Sequence, residues 1–461
     1  MRFEIFGEPV HKVRLALALF VLTVFAAAVI ILMPRGLVRL AFVGIFTLPI
    51  LILFFDHPEW TLYVLLGLLF SNIFIFFHFP LVRMAALFLI SSWGLSVLMG
   101  RRIVIHDRRM FFLTTAFLIL SFQSMIFARN IASSINRMDN FLTTLVTLFL
   151  IIQFSRSRNE FFKVLFVISL GCLVSNFLPF LVPPPEKYAD LSLIWGQAVL
   201  RYEGYLREPN MFAFSLTFLI PILFILFARL KRPWFARPVV AVATVGTIFV
   251  MALSFSRGAF VALAAMFLTL LIVERRNRSI LFAGLAMIVA GALLAPAAYW
   301  ERIASLVEIG NSMTEDTAII SRIYTMKIAL ILGIRNPLFG VGLENFLFHA
   351  SRFTSFGNFV HNSILQVFSD LGIPALIVYF WIMIYNLRVT RGLMNLGGDP
   401  EAAQIGRLLF VQQVGVLINS MFIPVSHHMI LWLTMLLPTM AWYACTGRQF
   451  TPLKKSLHQR N

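Results

Sequence analysis

Residues 238–273 read PVVAVATVGTIFVMALSFSRGAFVALAAMFLTLLIV, and Arg257 is the one charged residue in the run. The two halves, 238–256 and 259–273, each come close to the length a helix needs to cross a hydrocarbon core. Neither carries the polar face that a helix of a soluble protein turns to water. Ser256-Arg257-Gly258 separates them and reads as a tight reversal at one membrane face. A chain that folds this way crosses a bilayer and returns.

Outward from this stretch the pattern repeats. Apolar blocks recur near 15–33, 37–55, 61–78, 82–99, 110–128, 139–155, 160–182, 211–229, 238–256, 259–273, 279–298, 363–386, 406–425 and 429–446. Hydrophobic residues make up 60% of the 461, charged residues 13%, and the mean hydropathy is +0.88. Such a composition excludes a soluble enzyme. The expected fold is an all-α polytopic membrane protein with about 12–14 transmembrane helices.

A net charge of +18 would point to nucleic acid in a soluble protein. Here the basic residues sit in short clusters between apolar blocks, among them Arg101-Arg102, Arg108-Arg109, Arg156 with Arg158, and Arg275-Arg276. That is how a multi-pass protein marks its cytoplasmic loops, so both termini are expected in the cytoplasm and no nucleic acid is expected as partner. Cys172 and Cys445 lie inside apolar blocks, far apart, which argues against a disulfide framework.

The blocks divide the chain into N-terminal transmembrane helices (1–182), a first outer loop (183–210), central transmembrane helices with the Ser-Arg-Gly turn (211–298), a large outer loop (299–362) and C-terminal helices with a basic tail (363–461). Loops this long are uncommon unless they carry function. The second is expected to hold a helix over Ala318–Leu332, with Ser321, Arg322 and Thr325 as a polar stripe and Asn336-Pro337 as its stop. Any chemistry is therefore expected at the outer face.

Arg257 sits where a charge borders hydrocarbon and needs a reason. Snorkelling to the headgroups is the bland one; the small neighbours Ser256 and Gly258 would also let a ligand approach. Arg201 and Arg207 in the first loop, with Arg322 in the second, add guanidinium forks suited to a diphosphate. Arg302, Arg335 and Arg352 read as solvated or headgroup-paired. His361 opens an apolar block and could take a proton near neutral pH, although an interfacial histidine is commonly only polar. Asn362 reads as a helix cap or as a partner of His361 or a sugar. The pair His427-His428 is a weak metal candidate, since adjacent histidines diverge on a helix.

The string Asn336-Pro-Leu-Phe-Gly-Val-Gly-Leu-Glu-Asn345, then Val360-His361-Asn362-Ser-Ile-Leu-Gln366 and Leu371-Gly-Ile-Pro374, resembles the O-antigen ligase superfamily. So do Ser256-Arg257-Gly258, Ser321-Arg322 and Glu208-Pro209-Asn210 in their order, over about residues 200–385. The superfamily includes O-antigen and other polysaccharide polymerases, and the chain is most similar to a ligase.

The resemblance implies an inverting, metal-independent glycosyltransferase of the bacterial inner membrane. It would have a GT-C-type helical scaffold, no cofactor, and a site facing the periplasm. Its donor would be an undecaprenyl-diphosphate-linked glycan and its acceptor lipid A–core, with membrane lipids around both. His361 would be the general base. Arg257 and Arg322, then Arg207 and Arg201, would bind the diphosphate, with Asn362, Asn210, Glu208 and Ser256 in support. A transporter of lipid-linked sugars is the rival from another class. It would need ionisable residues through several spans, and few stand out.

Overall fold

The computed structural model describes residues 4–5, 8–9, 57–76, 81–183, 191–194, 197–206, 208–230, 234–275, 278–308, 317–351, 353 and 359–450. The first two apolar blocks, 15–33 and 37–55, and Arg207 lie outside the described residues. Apart from two short antiparallel hairpins, one of them Leu191–Ile194 with Gln197–Leu200, the described chain is helical.

The helices in order are α1 (Pro58–Ser71), α2 (Leu81–Leu98), α3 (Arg108–Ser124), α4 (Ile131–Gln153), α5 (Arg158–Phe177), α6 (Pro209–Arg229), α7 (Ala236–Leu253) and α8 (Arg257–Val273). There follow α9 (Arg278–Leu294), α10 (Ala297–Glu308), α11 (Thr317–Arg335), α12 (Phe346–Ala350), α13 (Ser363–Met394), α14 (Pro400–Ser420) and α15 (Met429–Thr446). Among the described residues seven helices are long and apolar enough to cross a membrane, namely α3–α7, α13 and α15; Val82–Leu98, α8 and Leu281–Leu294 are shorter apolar helices. This is an all-α polytopic membrane protein.

Local chemistry sets where the helices begin and end. Asp107, Asn130, Glu208, Asn362 and Asp399 each accept backbone N–H bonds in the first turn of the helix that follows, and Ser157 with Glu160 forms a capping box. Asn130 thereby starts α4 eight residues before the apolar block at 139. The block at 61–78 stops short at Ser71, because Asn72 turns left-handed (φ 52°) and closes α1. The block at 279–298 is two helices: Pro296 has no N–H to continue α9, and the chain restarts as α10.

α14 lies at the centre, packed against α6, α8 and α13, and α13 also carries α3, α11 and α15. α6 is buried along most of its length, which is why it is apolar on every side. The connecting loops gather at two opposite ends. At one end Arg158 pairs with Asp399 and with Glu401 (2.7 Å), and Arg229 also reaches Glu401 (2.5 Å), joining α5, α6 and the start of α14. The other end carries the residues singled out above.

Candidate active site

Ser254-Phe255-Ser256 is the turn between α7 and α8, and Phe255 takes φ 52°, a conformation that strains a bulky side chain. Neighbours hold it there. The Tyr202 N–H donates to Leu253 O (2.9 Å), Arg201 Nε donates to Ser254 O (2.8 Å), and the Phe255 ring is buried near Tyr299. Arg201 also donates from its guanidinium to Asn210 Oδ1 (3.1 Å), and Ser256 Oγ donates to the same oxygen (3.2 Å). Asn210 is in turn fixed through its Nδ2, which donates to Glu208 (2.9 Å). Arg201, Glu208 and Asn210 therefore brace the turn that presents Arg257. Because the Ser256 side chain bonds Asn210, it does not cap α8. The first N–H groups of α8 and the half-buried Arg257 stand at one place, the arrangement that attracts an anion.

A bridge leads from this turn to His361. A Cβ on Gly258 would stand 2.7 Å from Phe422 Cβ, so α8 lies directly against the loop that joins α14 to α15. The same loop is tied to the start of α13: Ser363 Oγ donates to Ile423 O (2.8 Å) and accepts from Val425 N–H (2.9 Å). Asn362 is the N-cap of α13, accepting from the N–H groups of Ile364 and Leu365 (3.0 Å each), so its side-chain oxygen serves the helix. That fixes His361 one residue before a capped helix. Its Nδ1 is buried and meets no hydrogen-bond partner among the described residues. Burial, and then the charge of Arg322, push the imidazole down to about 4.

Arg322 thus acts on His361 from α11. On this helix Ser321 and Thr325 are buried and Lys327 is exposed, so the face with Arg322 turns inward and Lys327 turns away. The observed helix, Thr317–Arg335, contains the expected stretch Ala318–Leu332.

The Asn336–Asn345 string is a clamp. Val341 N–H donates to Ser369 O (2.9 Å), Gly342 N–H to Asp370 O (3.1 Å) and Ile373 N–H to Pro337 O (2.7 Å). The turn and the backbone of α13 can approach so closely because both lack side chains there. A Cβ on Gly340 would fall 2.3 Å from the Asp370 carbonyl, and one on Gly372, itself at φ 83°, would fall 2.7 Å from the Leu338 carbonyl carbon. Asn345 binds the start of α4, accepting from Asn130 N–H (2.7 Å) and donating to Ser134 Oγ (2.8 Å). Glu344, at φ 57°, is gripped by Arg137 of α4 through two bonds of 2.9 and 2.5 Å. Asp370 is buried and accepts from Phe346 N–H (3.1 Å).

The structure therefore joins His361, Asn362 and Arg322 on one side of the 421–428 loop, and Arg201, Glu208, Asn210, Ser256 and Arg257 on the other. Arg335 is exposed, 5.8 Å from the Phe353 ring centroid; Arg352 and the Arg302 side chain lie outside the described residues. The two adjacent histidines are framework. His427 packs against the rings of Phe117 and Phe141 with Nδ1 2.9 Å from Ser426 Oγ, and His428 Nδ1 accepts from Ile430 N–H (3.3 Å).

Sequence reasoning passed over Arg137, Asp370 and the 421–428 loop. Asp370 had a visible signal, since a carboxylate inside an apolar helix needs a partner, whereas Arg137 lies in the polar first turns of α4 and gave none. The loop had none, because its role lies in contacts across the bundle.

Residues 242–380 match the family model described as O-antigen ligase. The match takes in the Ser-Arg-Gly turn, Arg322, the Asn336–Asn345 string and His361, and stops short of Glu208-Pro209-Asn210. No curated protein matches the chain.

Proposed function

From the match of residues 242–380 to the O-antigen ligase family model, we propose that this membrane protein transfers a glycan from undecaprenyl diphosphate to a sugar hydroxyl of lipid A–core, at the periplasmic face of the bacterial inner membrane. The observation that carries the reading is the His361 imidazole, buried at Nδ1, set one residue before the capped start of α13 and under the charge of Arg322, at the bundle end that also holds Arg257.

A sugar hydroxyl is a weak nucleophile and needs a base as it attacks. The His361 ring, held neutral at pH 7, has a free electron pair for that proton. A base pushed to about 4 is weak, however, and the donor supplies the remedy. The diphosphate is anionic, so its arrival beside Arg322 offsets the positive charge that depresses His361. The base strengthens when the substrate is in place. As the glycosidic bond breaks, negative charge grows on the leaving diphosphate, and Arg257, Arg322 and the N-terminal amides of α8 stand ready to receive it. Attack from the face opposite the diphosphate inverts the anomeric centre. Arg201, Asn210, Glu208 and Ser256 keep Arg257 aligned, and Arg207 is a further candidate for the phosphates.

The test is transfer by the purified protein in nanodiscs, with undecaprenyl-diphosphate glycan, lipid A–core and EDTA. Glycan on lipid A–core from the wild type, and none from a folded His361→Ala protein, is the expected result. Growth of lipid-linked chains with a bare core would make the protein a polymerase using the same site. Absence of both products would end the transferase reading.

A further inference from the structure

A groove of about 210 Å³ opens between α7, α8 and α9, with α10 across its end. Its lining is almost wholly hydrocarbon, with Met251, Phe260, Leu263, Phe267 and Ala292 along the walls and Trp300 at the mouth. Packing explains the gap. Gly291 lets α9 press onto α7, where an added Cβ would stand 2.4 Å from Ile248 Cγ2, while α8 packs against α6 and α14. α8 and α9 are drawn to different neighbours and part between their ends.

The groove has a direction. Phe260, Leu263 and Phe267 follow Arg257 by three, six and ten residues, so they share one flank of α8. They run from roughly 4.5 to 15 Å along the helix from Arg257. A cationic group and uncapped amides at the helix start, followed by a narrow apolar slot, complement an anionic head carrying a single hydrocarbon chain. A phospholipid would place only one of its two chains in the slot, whereas a prenyl diphosphate has a single chain to enter it. Trp300, 41% exposed, is placed as an aromatic side chain at a membrane–water boundary would be.

We propose that this groove seats the isoprenoid units nearest the diphosphate of the lipid that carries the donor glycan. The inference rests on the donor assigned above. The groove is short, so it reads only those first units, and the rest of the chain lies in the bilayer. A donor with a much shorter prenyl chain should then bind nearly as well as the full-length lipid, whereas narrowing the groove should weaken both.

The experiment uses the full chain in nanodiscs and a farnesyl diphosphate bearing a diazirine near its diphosphate end. After irradiation, labelled peptides are mapped by mass spectrometry. Label is expected within 248–267 and 288–300, displaced by undecaprenyl diphosphate and untouched by added phosphatidylglycerol. Ala292→Phe and Leu263→Trp, each confirmed to keep the wild-type melting temperature, should lower labelling about tenfold. They should also raise the donor KM by about that factor with kcat little changed. Label elsewhere, displacement by phosphatidylglycerol to the same degree, or full labelling of both filled variants would overturn the proposal. Labelling needs no turnover, so a wild type that labels in the groove but transfers no glycan would sink the transferase reading and leave the groove assignment standing.

Discussion

At the residue scale the decisive feature is the charge state of His361. Burial and Arg322 both disfavour the imidazolium, so the ring gains a proton only as pH falls towards about 4. Its ordinary value is about 6.5. If His361 is the base, kcat/KM, which reports the free protein, should hold constant from pH 7 down to about 5 and fall below that. Arg322→Gln removes a like charge and should move that limb upward, towards the ordinary value. In its proposed role Arg322 also donates to the leaving group, and on that reading the same change should lower kcat by about 10²–10³. A limb that stays in place while kcat falls would separate Arg322 from His361 and leave it a phosphate contact alone. Loss of the base itself, in His361→Ala, should lower transfer by about 10²–10⁴, measured as glycan on lipid A–core per minute at pH 7.

At the scale of elements the site depends on two strained turns. One holds Phe255 and the other Glu344, both at positive φ, and each is kept in place by an arginine from elsewhere: Arg201 on the Ser254 carbonyl, Arg137 on the Glu344 carboxylate. Strain of this kind persists where the surroundings over-determine it. The clamp of residues 336–345 on α13 is the more vulnerable. Gly372→Ala would place a side chain at φ 83° and against the Leu338 backbone, with no flexible atom to give way. Destabilisation of about 3 kcal/mol is expected, read as a lower melting temperature in detergent, with loss of transfer. Arg137→Ala leaves Glu344, 13% exposed, without its cation; since Arg137 is itself 30% exposed, the effect should be milder, about 1–2 kcal/mol. Should Arg137→Ala melt like wild type and still transfer normally, the pair has no positioning role.

These same elements mark how far the sequence could be read. The helices were legible because their apolar length and caps are local: α15 runs over Met429–Thr446, the bounds of the last apolar block. The Asn336–Asn345 string was legible as a motif yet not as a clamp, since its glycines matter through the α13 backbone they touch. The orientation of Arg322 was not legible either. Ser321, Arg322, Thr325 and Lys327 all sit on one short helix, and only burial of Ser321 and Thr325 decides which side is inward.

At the scale of the molecule the two ends of the bundle are built for different work. The end away from the candidate site is held by paired charges, with Arg158, Arg229, Asp399 and Glu401 joining three helices, and its arginines lie among loops that the charge bias assigns to the cytoplasm. These groups are 27–36% exposed, so each pair is worth about 1 kcal/mol or less, and Arg229→Ala should leave both melting temperature and transfer nearly unchanged. The candidate-site end instead ties single charges to backbone, Arg201 to the Ser254 carbonyl and Asp370 to the Phe346 N–H, keeps one ion pair in Arg137 and Glu344, and sets Arg257 at a helix start that no side chain caps. A protein that moves lipid-linked sugars across the bilayer would need polar groups along the path between these ends. Beside the central helix α14, α6 is an apolar run from Met211 to Ala228. The buried amide side chains of α14 are taken up by its neighbours: Gln412 donates to Phe218 O (2.9 Å), Asn419 donates to Thr217 Oγ1 (2.8 Å) and Gln413 accepts from Thr390 Oγ1 (2.9 Å). The asymmetry predicts an orientation that can be measured. In a background with Cys172 and Cys445 replaced, a cysteine at Leu338, 62% exposed at the site end, should react with an impermeant maleimide added to intact cells whose outer membrane has been opened. A cysteine at Gly397, in an open loop at the opposite end, should react only after the inner membrane is broken. Reversed labelling would put His361 in the cytoplasm, away from lipid A–core on the far side, and the ligase reading would fall with it.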